Sequence, residues 1–398
     1  MRYYKILSTA FDYRPRFGGI ATLSYELFKE MGKIPGAQIK LIAPAQKDAE
    51  LFDVKSSIDT LRISISPQIP KAALQFSRAI TYEALHWKPC CIFHTVWIPD
   101  AISSWICTPV RAYFKIPYFV FTHGVELLES SYTTKRKIRK LFSPIKRNIL
   151  QNAAKIFANS HFTKNLLYTK CNIPLTNIVV ANPGVDIEKF FPSEKAQDLS
   201  EKYQLQNKIV LLTVTRLDPY KGIDQMIQAM PALIKKYPNL VYLVCGEGSD
   251  HDRLYSLVQD KGLNSYIKFA GAVSFDRLRD YYNLADLYVM LSREHIEPPD
   301  VEGFGISFIE AAACAVPALA GNSGGIPDAV EDGVSGWLVN PTDTNLIISK
   351  LDQILANPSL IKTTGQQAKK RALNKFTWKH MAETIFTEVS KYLSVTKT

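Results

Sequence analysis

Two glutamates, Glu302 and Glu310, flank Gly303 and Gly305 in the stretch DVEGFGISFIEAAACAVPALAGNSGG, which runs from Asp300 to Gly325. The apolar run predicts a helix from near Gly305 to about Cys314, with Pro317 beyond its end. At a helix start, unpaired backbone N–H groups and the positive end of the helix dipole favour phosphate. A carboxylate beside a phosphate is unfavourable unless it faces something else, and an ionised carboxylate can accept from two adjacent hydroxyls. The pattern therefore suits a ligand carrying both phosphate and sugar hydroxyls, with one glutamate on a ribose and the other on a hexose. Taken alone, Glu302 is a first-turn dipole residue and Glu310 a surface residue.

Two cations extend the pattern. Arg216 follows the apolar run IVLLTVT, and Lys221-Gly222 comes five residues later. A diphosphate is well matched by such a pair, with Arg supplying a fork of hydrogen bonds and Lys a movable point charge. Out of this setting the two would be ordinary solvated charges. Gly18-Gly19 follows the first apolar run and precedes a helical pattern, so backbone there can approach an anion closely. The loop lacks the G-x-G-x-x-G spacing, which speaks against a dinucleotide site and leaves a tight turn as the plain alternative. His123 follows the run YFVFT, and its plain alternative is a satisfied core histidine.

These residues must be carried by elements that bring them together. YKILSTA predicts the first strand, and IATLSYELFKEMGK places Leu23, Leu27 and Met31 on one helical face. The runs IKLIAP, LRISISP, CCIFHTVW, YFVFTHG and KIFANS follow, with helix-like segments between several of them. A second array opens near Lys208, with strands IVLLTVTR, LVYLVCG, IKFAGA, LYVMLS and PALAG separated by helical segments. In one of these, IDQMIQAMPALIKKYP, Pro231 is expected to bend or divide the helix. Short apolar strands alternating with helices predict an α/β protein with parallel sheets covered on both faces. The Pro-, Gly- and charge-rich segment NPGVDIEKFFPSEKAQDLS reads as the join between two halves. The expected division is 1–188 and 205–377 as two domains, 189–204 as linker, and a further helix within 378–398. Open α/β sheets bind ligands beyond the carboxyl ends of their strands, and two such domains imply a cleft.

With 398 residues, two or three domains are expected. Lys plus Arg is 48 and Asp plus Glu 37, a net charge of +11. That excess favours nucleotides, phosphorylated sugars or anionic lipid as partners, and no recognition motif points to nucleic acid. The six cysteines show no metal-binding spacing, and several sit in apolar runs, as buried thiols of a reducing compartment would. No secretory h-region and no uninterrupted apolar run of 18 residues is present, so a cytoplasmic protein without a spanning helix is expected. The segment TTKRKIRKLFSPIKR, Thr133 to Arg147, holds seven basic and no acidic residues, with Ile138, Leu141, Phe142 and Ile145 at helical spacing. It suits contact with an anionic membrane surface, on the inner face of the cell membrane, as well as it suits a solvated helix face.

Together these motifs resemble a known family. Glu302 and Glu310, with seven residues between them in EGFGISFIEAAACAVPALAGNSGGIPD, resemble the E-x7-E signature of the retaining GT-B glycosyltransferases of family 4. TRLDPYKG is similar to that family's Arg/Lys phosphate motif, and PRFGGIA to its N-terminal glycine loop. FTHG, ANSHFTKNLL and NPGVDIEKFFP fall in the family's order, and the resemblance covers about Lys5 to Tyr392. Members that build bacterial lipid-linked or surface glycans, including phosphatidylinositol mannosyltransferases, look most similar.

The resemblance implies two Rossmann-like domains facing a central cleft, with the last helix crossing back to the N-terminal domain. It implies a nucleotide-diphospho-sugar donor, GDP-mannose or a UDP-hexose, held mainly by the C-terminal domain, and a glycan or lipid-linked acceptor on the N-terminal one. Arg216 and Lys221 would take the diphosphate and Glu310 the ribose. Glu302, with the backbone of Phe304, Gly305 and Ile306, would take the hexose and β-phosphate. Val273 would be a further donor contact, Gly18 and Gly19 would approach the phosphate from the other domain, and His123 would lie near the donor sugar. His123, Arg216, Lys221 and Glu302 form the expected catalytic set. The implied reaction is hexose transfer with retention in cell-envelope polysaccharide or lipopolysaccharide biosynthesis. No cofactor or metal is expected, since Arg and Lys supply the positive charge and no Asp-x-Asp loop is present. The loop SREHIEPPDVE, with Pro298-Pro299 and the acids Glu294, Glu297 and Asp300, departs from the simpler family pattern. The alternatives are a nucleotide-sugar epimerase of similar fold and a non-catalytic membrane-binding protein on a degenerate transferase fold.

Overall fold

The computed structural model describes residues 3–16, 18–95, 101–128, 145–296 and 299–395, without the side chains of 69, 295, 296 and 299. Of the basic segment 133–147, all but 145–147 lies outside the described residues.

The chain forms two compact units, one made of Met1–Gly184 with Trp378–Thr398 and the other of Val185–Thr377. Each is built on a parallel sheet. The first uses Tyr4–Thr9 (β1), Ala37–Pro44 (β2), Asp59–Ile63 (β3), Cys91–His94 (β4), Tyr118–Thr122 (β5), Lys155–Ala158 (β6) and Ile178–Val180 (β7), in the order β3-β2-β1-β4-β5-β6-β7. The second unit holds Ile209–Val214 (β8), Leu240–Cys245 (β9), Ile267–Gly271 (β10), Leu287–Met290 (β11), Ala318–Gly321 and Gly336–Val339, and a two-stranded hairpin of His295–Ile296 with Pro299–Asp300. Its sheet order is β10-β9-β8-β11, followed by Ala318–Gly321 and Gly336–Val339.

Strand β9 shows why these runs are strands. All six of its residues are buried. Leu240, Tyr242 and Val244 feed one core, while Val241, Leu243 and Cys245 feed the core on the opposite face. A sheet covered on both faces needs such continuous apolar runs rather than alternation. In both units the strand order reverses beside the first strand, at β1/β4 and β8/β11. At such a switch point the loops leaving the two strands diverge and open a crevice beyond the carboxyl ends.

In the first unit, helix Gly19–Met31 sets Phe28 edge-on to Phe93 at 6.1 Å. The C-terminal helix Trp378–Val395 sets Tyr392 against Phe119 at 5.6 Å and Phe386 against Tyr4 at 5.9 Å. The last helix thus belongs to the first unit, although the whole second unit precedes it in the chain.

Two features depart from the expectations. Residues 189–204 are not a spacer: Phe190, Leu199 and Tyr203 are buried in the core of the second unit, and Gln197–Lys202 is helical. Phe190 packs edge-on against Tyr282 at 5.8 Å. Proline, glycine and charge counts masked these anchoring aromatics. Nor does Pro231 divide its helix, which runs unbroken from Ile223 to Lys236. The lost N–H costs one hydrogen bond, and the buried Ile223, Met226, Ile227, Met230 and Leu233 stabilise the helix against that loss. All six cysteines are free thiols, and all but Cys90 are buried.

Candidate active site

Strand β8 delivers Arg216 and then a 3-10 turn, Pro219–Lys221, that ends at Gly222. Gly222 has φ +75°, and a Cβ there would lie 2.0 Å from the carbonyl oxygen of Leu291. Only glycine permits both the left-handed backbone and this approach. The turn is thereby pressed onto the loop leaving β11, the other side of the switch point. Lys221 ends up only 7% exposed, and its Nζ donates to Glu302 Oε2 at 2.6 Å. Burial disfavours the ammonium most strongly, but the Glu302 carboxylate and Tyr220 together outweigh it and hold Lys221 above its ordinary value. Arg216 is different: its side chain is 74% exposed, with Nη2 3.0 Å from Asp218 Oδ2. Asp300 is pushed up by burial, which outweighs the opposing pull of Lys221 and Arg216. The loops after β8 and β11 therefore bring two cations and three carboxylates into one neighbourhood.

The helix expected near Gly305 runs from Ile306 to Ala313. Gly305 caps it at φ +93°, where a Cβ would meet the Phe308 ring at 2.5 Å. No side chain caps this start; in its first turn the Phe308 N–H donates to the Gly305 carbonyl at 3.0 Å. Phe308, Ile309 and Ala311 to Ala313 are buried. Phe304 is turned into the core against Phe376 at 5.6 Å, which leaves only its backbone for a ligand. Ile306 is half-buried on the same core. The Glu302 carbonyl accepts from Gly325 N–H at 2.8 Å, and a Cβ on Gly324 would lie 2.4 Å from that same oxygen. The distant Gly-Gly pair thus buttresses Glu302. Glu310, more than one turn into the helix, accepts from Tyr282 Oη at 2.7 Å. Tyr282 is wholly buried, and burial, reinforced by Glu310, holds its hydroxyl well above the usual tyrosine value.

Arg216, Lys221, Glu302, Phe304, Gly305, Ile306 and Glu310 thus share one unit, and Lys221 and Glu302 touch. Val273, after β10, is half-buried against the core of that unit. Gly18, Gly19 and His123 belong to the first unit. Gly18 is the cap of helix Gly19–Met31, again with no side chain capping it. His123 lies just past β5, where its Nε2–H donates to the Thr95 carbonyl at 2.8 Å and its backbone N–H to Glu126 Oε1 at 2.6 Å. Its own carbonyl accepts from Asn159 Nδ2 at 2.9 Å.

Two supporting residues escaped the sequence reading. Arg293 grips Asp224 with both ends of its guanidinium, at 3.0 and 2.9 Å, and also donates to the Pro219 carbonyl at 2.9 Å. Its backbone N–H bonds the Tyr220 carbonyl at 2.9 Å. One residue after β11 therefore ties down both ends of the Lys221 turn. The rule that selected Arg216, a cation just past a strand's carboxyl end, would have selected Arg293 too. Tyr282 gave no such signal, being one of several tyrosines on helical faces.

The chain belongs to the glycosyltransferases: residues 17–189 match the model described as Glycosyltransferase Family 4, and residues 195–371 the one described as Glycosyl transferases group 1. It is 28% identical over 375 residues to a GDP-mannose-dependent alpha-(1-6)-phosphatidylinositol monomannoside mannosyltransferase of Mycolicibacterium smegmatis, covering 92% of this chain and 94% of the relative. The enzyme of that description from Mycobacterium tuberculosis is 25% identical over 388 residues, covering 95% and 96%. A glycosyltransferase structure from Rickettsia africae superposes with a TM-score of 0.78 at 19% identity over all of both chains. The Anabaena protein HepE in complex with UDP-glucose gives 0.76 at 18% identity, covering 98% of this chain and 100% of that one. These two structures establish a shared fold. Among the described residues, no helix is long and apolar enough to cross a membrane.

Proposed function

We propose that the protein transfers a hexose from a nucleotide-diphospho-sugar to a hydroxyl of a glycan or glycolipid in cell-envelope glycan or lipopolysaccharide synthesis. The names of the mannosyltransferase relatives favour GDP-mannose as donor and a phosphatidylinositol mannoside-like acceptor. The observation that carries the reading is the pairing of Lys221 with Glu302, beside Arg216 and the uncapped start of helix Ile306–Ala313. In this reading the bond between the anomeric carbon and the β-phosphate oxygen breaks. Negative charge then develops on the leaving phosphate, where Arg216, Lys221 and the helix N–H groups are placed to stabilise it. Such fixed charges and dipoles are commonly the largest catalytic term. The acceptor hydroxyl attacks from the same face and gives its proton to the leaving phosphate, so configuration is retained. His123 is assigned to the donor sugar in this reading, and Glu310 to the ribose. No metal is expected in this reading, in which Arg216 and Lys221 supply the positive charge that meets the diphosphate. Peripheral attachment to the inner face of the membrane, through 133–147, belongs to the same proposal.

The test is to incubate the protein with GDP-mannose, GDP-glucose, UDP-glucose and UDP-galactose, each with and without a phosphatidylinositol monomannoside acceptor. Nucleoside diphosphate release and product mass are followed, and the product anomer is assigned by NMR. One donor should be consumed faster with acceptor and give the retained anomer. No release from any donor would overturn the reading, and an inverted product would overturn the mechanism.

A further inference from the structure

Lys221 and Glu302 stand in an awkward relation for a phosphate site. The Glu302 carboxylate lies 2.6 Å from the buried Lys221 ammonium that would meet a diphosphate. The side chains are 9% and 16% exposed, so solvent screens them weakly. The backbones that carry the two partners are held in place. Gly222 presses the Lys221 turn against Leu291, and Gly324 and Gly325 hold the Glu302 backbone at contact distance. A phosphate oxygen that reaches Lys221 Nζ must come within a few ångströms of the Glu302 carboxylate, where like charges repel. A carboxylate in that place is offset only by hydroxyls that donate to it. The hexose of an intact donor has such hydroxyls, and the nucleoside diphosphate left after transfer keeps only its ribose hydroxyls, which the reading above gives to Glu310 rather than Glu302.

We infer that Glu302, acting through Lys221, discriminates the intact nucleotide sugar from the nucleoside diphosphate, penalising retention of the product. The inference rests on the reading above, in which Lys221 takes the diphosphate. It differs from a purely sugar-holding role for Glu302 in the sign of one effect. If Glu302 only holds the sugar, removing its charge leaves binding of the sugar-free diphosphate unchanged. If it competes with phosphate for Lys221, removing the charge tightens that binding.

The experiment is calorimetric titration of GDP and of UDP into wild type, Glu302→Gln, Lys221→Met and the double variant, with sugar-transfer rates measured alongside. Glu302→Gln should bind the diphosphate about tenfold or more tightly than wild type, since a neighbouring like charge in a weakly screened site costs at least that. Its transfer rate should fall at the same time. Lys221→Met alone should bind weakly, and the gain from Glu302→Gln should vanish in the double variant. Equal or weaker binding by Glu302→Gln, or a gain that survives loss of Lys221, would overturn the inference. Calorimetric stoichiometry reports the folded fraction. Should Glu302→Gln not fold, Glu302→Asp, with its carboxylate drawn back by one methylene, must still bind more tightly than wild type or the inference falls. If neither GDP nor UDP binds wild type, the functional reading itself has failed and takes this inference with it.

Discussion

Replacing Tyr282 with phenylalanine removes a single oxygen from beneath Glu310. The ring stays in place, packed 5.8 Å from Phe190 and 6.0 Å from Tyr288. The lost contact is the 2.7 Å hydrogen bond from Tyr282 Oη to Glu310 Oε2. A hydrogen bond to a charged group contributes about 1.5–3 kcal/mol, and each 1.4 kcal/mol is about a factor of ten. If that bond aims Glu310 at the two ribose hydroxyls, Tyr282→Phe should weaken binding of GDP or UDP by about tenfold. The matching 2′,3′-dideoxy nucleotide has no hydroxyls for Glu310 to hold, so its already weaker binding should change by less than about twofold. Calorimetric titration of both ligands into both proteins closes a cycle in which general loosening of the fold cancels. Equal weakening for the two ligands would refute the assignment of Glu310 to the ribose and leave Tyr282 as a packing residue. No weakening for either would refute the orienting role.

Other outcomes follow from neighbouring contacts. Gly222→Ala forces a Cβ to 2.0 Å from the Leu291 carbonyl at a positive φ, so it should cost about 2–4 kcal/mol of stability in urea unfolding and abolish transfer. Arg293→Ala leaves buried Asp224 with Arg253 at 3.9 Å as its remaining ion pair. It should destabilise by about 3–5 kcal/mol and raise the donor KM, with Arg293→Lys intermediate because it lacks the fork. His94 in the first unit is wholly buried between Thr9 Oγ1 at 2.7 Å and Ser104 Oγ at 2.6 Å. Burial, and then Arg111, lower it to about 3. Below its unfolded value of about 6.5 the unfolded chain takes up a proton that the fold refuses, so stability is complete above that pH and falls as pH drops toward 3. Between pH 6.5 and 5 this residue should account for a loss of about 2 kcal/mol, seen as the difference in urea stability between wild type and His94→Gln. Equal pH slopes for the two proteins would refute it.

The alternation of short apolar runs with helices sufficed to read two parallel-sheet units, because strands buried on both faces carry an unbroken apolar signal, as Leu240 to Cys245 do. The helix start at Gly305 was legible for a related reason, since a positive φ and a close approach admit only glycine. The residues 189–204 were misjudged because burial of Phe190 and Leu199 depends on partners such as Tyr282, some 90 positions away. Nor could spacing reveal that Lys221 and Glu302, 81 positions apart, touch, or that Arg293 reaches back to Asp224. Contacts across a switch point depend on how two loops converge, and neither loop carries that information alone.

The central claim is that Lys221 and Arg216 stabilise the leaving diphosphate of a nucleotide sugar. Its most direct measurement is the rate of nucleoside diphosphate release from the donor consumed by wild type, repeated with Lys221→Ala and Arg216→Ala. Release should fall by about a hundredfold or more in each variant, as loss of a charge placed on a transition-state anion does. Release at the wild-type rate from Lys221→Ala, with the variant folded, would contradict the account.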